Sequence, residues 1–85
     1  MKMNNLINCF EAAKHTGARY IGVKIKMPNC PGPEVIINEY PNFDSKLAYY
    51  KTAYSEDLSL KTYKDIKIIG FTYGDNFDQI QKDLF

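Results

Sequence analysis

At 85 residues, with 11 basic and 10 acidic side chains and a net charge of +1, the chain has the length of one domain. So even a balance excludes a protein held to nucleic acid mainly by counterion release. Hydrophobic residues make up 45%, with seven Tyr, five Phe and no Trp, which excludes disorder and predicts a core packed largely by aromatic rings.

Leu6, Phe10 and Ala13, with Met3 a turn earlier and Ile7 beside them, recur at three- and four-residue steps and predict a first helix from about Asn5 to His15. Asn4 or Asn5 can cap it, Lys14 and His15 suit its negative end, and Gly17 can adopt the left-handed conformation that stops it. From Ala18 the period changes to two. Ile21, Val23, Ile25 and Met27 mark an inward face, and Tyr20, Gly22, Lys24 and Lys26 mark the opposite face, expected to be exposed. Three prolines in Pro28-Asn29-Cys30-Pro31-Gly32-Pro33 make a stiff loop, because proline removes an N–H donor and fixes φ. Glu34 to Asn38 then returns as a short strand with Val35 and Ile37 inward.

Phe43, Leu47, Tyr50 and Tyr54 trace one face of a second helix, with Tyr49 off that stripe. Leu58 to Tyr63 alternates as a third strand, Lys64-Asp65 is the expected turn, and Ile66 to Tyr73 is a fourth, central strand. Strict alternation places Ile66 and Ile68 on one face and Ile69, Phe71 and Tyr73 on the other, with Gly70 as a candidate bulge. Phe77, Ile80 and Leu84 share one side of a last helix. The tripeptide Asn-Phe-Asp, at Asn42-Phe43-Asp44 and Asn76-Phe77-Asp78, precedes both later helices: Asn as N-cap, Asp against the positive end of the dipole, Phe at the start of the buried stripe. The order α, then ββα twice, predicts an α+β fold with a four-stranded, mainly antiparallel sheet packed with helices.

Chemistry is sparse. With one histidine, a Ser/His or Cys/His pair would need His15, and nothing near it has the spacing of a nucleophile turn, so the chain reads as non-enzymatic with no cofactor. Two cysteines and one histidine fall short of a structural zinc set, so no metal is expected. Cys9 and Cys30 could pair. One sits in a helical pattern and the other in the proline-rich loop, and the mixed start Met1-Lys2-Met3-Asn4-Asn5 is neither a signal peptide nor a spanning segment, so the expectation is a cytoplasmic protein with free thiols. Gly70 to Gly74 has the outline of a phosphate-cradling turn, but Asp75 and Asp78 would repel the anion and the P-loop Lys is absent. Tyr20, Lys24 and Lys26 are the candidate ligand-binding set, an aromatic and two cations able to stack on and neutralise an anionic nucleotide; the alternative is that the lysines keep an edge strand soluble. Tyr49 and the Cys30 loop are the candidate interface with a partner or a second copy, since Tyr buries contact area at low entropic cost.

Ala13-Lys14-His15-Thr16-Gly17-Ala18-Arg19-Tyr20, Tyr49-Tyr50-Lys51-Thr52-Ala53-Tyr54, Leu58-Ser59-Leu60-Lys61 and Ile68-Ile69-Gly70-Phe71-Thr72-Tyr73-Gly74-Asp75-Asn76-Phe77 resemble segments of short uncharacterised proteins carried by phages and prophages of Gram-positive bacteria. The resemblance implies a small non-enzymatic accessory factor, acting in the host cytoplasm as a small oligomer. Such a factor would counter host defence by sequestering a nucleotide second messenger or by binding a defence protein. The alternatives are a generic protein-interaction or regulatory module and an enzyme whose site is not recognisable in the sequence.

Overall fold

Glycine, proline and asparagine punctuate the chain into eight elements, seen in a computed structural model that describes residues 1–84. They are α1 (Met3–Thr16), β1 (Tyr20–Lys26), β2 (Glu34–Glu39), a 3₁₀ turn (Tyr40–Asn42), α2 (Phe43–Ala53), β3 (Ser59–Leu60), β4 (Tyr63–Gly74) and α3 (Phe77–Leu84). The strands form one antiparallel sheet in the order β2-β1-β4-β3, so the fold is α+β in the expected α-ββα-ββα order with β4 central. Among the described residues no helix is long and apolar enough to cross a membrane.

The main core lies between one sheet face and helices α1 and α2. Leu6, Phe10 and Ala13 of α1 meet Ile21, Val23 and Ile25 of β1 and Phe43 and Tyr50 of α2, and all are buried. Phe10 and Phe43 pack edge to face at 5.9 Å, the offset geometry that the ring quadrupoles favour. Gly17 stops α1 at φ 76, and its N–H is donated to the Lys14 carbonyl at 3.3 Å. Tyr50 brings a hydroxyl into this core and donates it to Asn38 Oδ1 at 3.4 Å, while Asn38 Nδ2 donates to the Ile21 carbonyl at 3.0 Å. These bonds let a buried amide sit among apolar side chains without an unmet polar atom.

Several local expectations are corrected. Helix α1 begins at Met3, so Asn5 is inside the first turn and caps in reverse, accepting the Lys2 N–H at 2.7 Å. The two Asn-Phe-Asp copies are not equivalent. Asn76 accepts the Asp78 and Gln79 N–H groups at 2.8 and 3.3 Å, as an N-cap should. Asn42 makes no side-chain cap, because the 3₁₀ turn that Tyr40-Pro41 starts already leads into α2. Phe43 is buried, whereas Phe77 is exposed.

The third strand is Ser59–Leu60 alone, the turn falls at Lys61-Thr62, and Tyr63 already belongs to β4, opposite Leu60. Between Lys24 and Ile25 the β1–β4 register shifts: Lys24 pairs with Gly70 and Ile25 with Ile68, which leaves Ile69 as the extra residue of a bulge. The bulge resets the alternation, so Phe71 joins Ile66 and Ile68 against the main core, and Ile69 is exposed.

In β2 the inward residues are Ile36 and Asn38, which pair with Val23 and Ile21 on the core face. Val35 and Ile37 sit on the other face. That face is also covered, by α3, and a strand apolar on both sides carries no alternation from which its core face can be read. Gly22 leaves the space that Ile80 of α3 fills, and a Cβ on Gly22 would run into Ile80 Cγ2 and come within 3.0 Å of Leu84 Cδ1. Gly70 and Gly74 line the same trough under Leu84 and Ile80.

Candidate functional site

The Tyr20, Lys24 and Lys26 face is not the open stripe expected, because α3 lies across it. Tyr20 is half-buried and its ring stacks on Phe77, at 4.5 Å between centroids and 33° between planes. Lys24 is half-buried and donates from Nζ to the Leu84 carbonyl at 2.6 Å, a cation at the negative end of α3. Lys26 is exposed, and six residues of strand at ~3.3 Å each put its backbone about 20 Å from that of Tyr20. The three side chains therefore do not converge on one small ligand.

Tyr20 instead lines a cleft of about 490 Å³ at the end of the sheet, walled by Gly17, Ala18, Arg19, Glu39, Tyr40 and Pro41. The sequence builds it from two turns that the β1–β2 register brings side by side. Gly17 ends α1 and releases Ala18 and Arg19 into β1, and Tyr20 pairs with Glu39, which places Tyr40-Pro41 beside Arg19. The Tyr40 N–H is donated to the Arg19 carbonyl at 2.9 Å, and the Arg19 N–H to Asp75 Oδ1 at 3.0 Å, so the backbone on both sides is tied down. Ala18 is buried at the floor, and the exposed Tyr40 ring leans edge-on to Phe43 at 5.5 Å. The Arg19 guanidinium carbon lies 5.8 Å from the Tyr20 ring centroid, within reach of a cation–π contact.

This arrangement offers two aromatic rings, one permanently charged guanidinium and one carboxylate around a space within the usual range for small-molecule sites. Arg19, Glu39 and Tyr40 were not singled out from the sequence. The signal was available in the hairpin, because pairing Tyr20 with the end of β2 brings Tyr40 beside Arg19 across the loop. A second, shallower hollow of about 520 Å³ is edged by Glu11, Ala12, Lys14 and His15 on α1. There Lys14 is held to Asp44 at 2.8 Å, a bond that raises its pKa, and His15 is an exposed residue of the last turn.

Tyr49 is exposed and packs edge-on against Tyr50 and Tyr54, at 5.4 and 6.4 Å. Cys30 is exposed and free, whereas Cys9 is free and half-buried, and burial pushes its thiol up to about 11. Burial likewise pushes the Tyr50 phenol up to about 12. Among the described residues no cluster of His, Cys, Asp and Glu could hold a metal ion.

No family model, curated protein or solved structure matches the chain.

Proposed function

We propose that this chain is a small, non-catalytic binding protein of phage type that counters host defence by sequestering a planar, anionic nucleotide signal in the cleft between Arg19, Tyr20 and Tyr40. One observation carries the reading: the cleft joins stacking rings to a guanidinium in a space of about 490 Å³. A base stacks on exposed Tyr40 and meets the Tyr20 ring edge-on, phosphate oxygens meet the Arg19 fork, and Glu39 accepts from ribose hydroxyls. The fixed backbone around Arg19 limits the ordering cost of binding. Support for the phage context is the sequence resemblance alone.

Calorimetric titration against a panel of cyclic and ADP-ribose-type nucleotides tests the proposal. Binding of one class is expected, weakened at least tenfold by Arg19→Ala and by Tyr40→Ala, and weakened by added salt through screening of the phosphate contact. No heat with any nucleotide, together with retention of a defined host protein in a pull-down, would replace nucleotide sequestration by inhibition of a defence protein.

A further inference from the structure

The two edges of the sheet are built differently. At one edge β3 is only two residues long, too short to template another strand, and the stretch of β4 that continues this edge beyond it is interrupted by the bulge at Ile69. At the other, β2 runs for six residues in a regular ladder with β1, and Val35, Ile36 and Ile37 at its centre are all half-exposed. It has no proline or lysine within it and no bulge, the usual devices that stop an edge from pairing; its charges, Glu34 and Glu39, stand only at the ends.

The phase of the ladder decides what this edge can accept. Tyr40 donates its N–H to the Arg19 carbonyl, and along an antiparallel pair such bonds involve every second residue. Glu34, Ile36 and Asn38 thus turn their backbone groups toward β1, and Val35, Ile37 and Glu39 turn theirs outward. A second copy running antiparallel along the edge must match outward groups with outward groups, so odd residues pair with odd. That rule forbids the one register that sets Glu34 against Glu39. The register centred on Ile36 obeys it, and there Val35 faces Ile37 of the second copy, Ile36 faces Ile36, Glu34 faces Asn38, and Glu39 faces Pro33. Val35 and Ile37 of each copy exchange four backbone hydrogen bonds, β-branched side chains meet on both faces of the seam, and no carboxylate opposes another.

We infer that β2 is a self-association edge, through which two copies join their sheets into one eight-stranded antiparallel sheet. The seam is short, so the dimer dissociates on dilution. Sedimentation of the full chain over a range of concentrations reads the state directly, with a concentration-dependent approach to twice 9.8 kDa expected. Val35→Pro and Ile37→Pro delete outward N–H groups that the monomer does not use, and an edge strand tolerates proline at such positions. Both variants should sediment as monomers while keeping their circular dichroism; Val35→Lys serves where a proline variant does not fold. In a Cys9→Ala, Cys30→Ser background, Ile36→Cys should oxidise to a covalent dimer, because residues facing each other at a non-hydrogen-bonded position lie within disulfide reach. A wild-type chain that stays monomeric at millimolar concentration would overturn the inference, as would a dimer that survives the proline and lysine variants and leaves Ile36→Cys uncrosslinked.

Discussion

Gly22→Ala gives opposite signs according to whether α3 packs on β1 as described. In a strand whose outer face is open, replacing glycine by alanine stabilises by roughly 0.5 to 1 kcal/mol, since the unfolded chain loses more freedom than the folded one. Here the added Cβ would collide with Ile80 Cγ2 and approach Leu84 Cδ1 to 3.0 Å. Both contacts are side chains of a short helix, so relief comes from lifting α3 rather than from bending the sheet. Overpacking of this kind costs about 1 to 3 kcal/mol, and lifting Ile80 forfeits part of the ~1.5 to 3 kcal/mol that its burial contributes. The net expectation is a destabilisation of about 1 to 3 kcal/mol, a fall in Tm of roughly 4 to 8 °C per kcal/mol for a domain of this size. Urea titration measures it, and faster amide exchange confined to residues 77–84 locates it. Combining Gly22→Ala with Ile80→Ala should cost less than the sum of the two, because the second change removes what the first collides with. A stabilised Gly22→Ala protein would refute the packing of α3 on this face.

Asn76→Ala should cost about 1 kcal/mol through loss of its two N–H contacts, whereas Asn42→Ala, which removes no cap, should stay within about 0.5 kcal/mol by the same denaturation assay. Equal losses would show the two copies to be equivalent after all. A thiol reagent at pH 8 should label exposed Cys30 well before Cys9, since a thiol at about 11 is only about one part in a thousand thiolate at that pH; equal rates would contradict the burial of Cys9. Burial raises Cys9 from 9.0 to about 11 and Tyr50 from 10.0 to about 12, so folding favours their neutral forms. The stability this implies is complete below about pH 9 and is lost as pH rises through 11 and 12. Urea midpoints should accordingly fall between pH 9 and 12, and a flat profile would show that neither group is desolvated.

The fold was legible where burial is one-sided. Helix α1 shows a clean stripe of Met3, Leu6, Phe10 and Ala13 because its other side meets water, and Gly17 marks its end for a reason of backbone geometry. It was obscured where both faces are covered or where tertiary pairing overrides local pattern. Val35, Ile36 and Ile37 are three consecutive apolar residues, so no alternation tells which face is the core. Ile68 and Phe71 look out of phase until the bulge at Ile69 brings them onto one face. Asn42 and Asn76 have the same local sequence, and only the 3₁₀ turn at Tyr40-Pro41 separates their roles. For the site, Tyr20 was found as an aromatic on a strand, but its partners come from turns distant in sequence. Arg19 and Tyr40 meet through the β1–β2 pairing, which the sequence implies only once its register is known.

The proposed nucleotide site is the cleft between the end of α1 and the end of β2. Amide chemical-shift mapping of the labelled protein, titrated with the nucleotide that gives heat in calorimetry, tests it most directly. Shifts are expected at the amides of residues 17–20 and of Glu39 and Tyr40, extending to Phe77 through its stack on Tyr20, with Lys26 unmoved. Shifts centred on Lys24 and Lys26, or none at the cleft under saturating nucleotide, would contradict it.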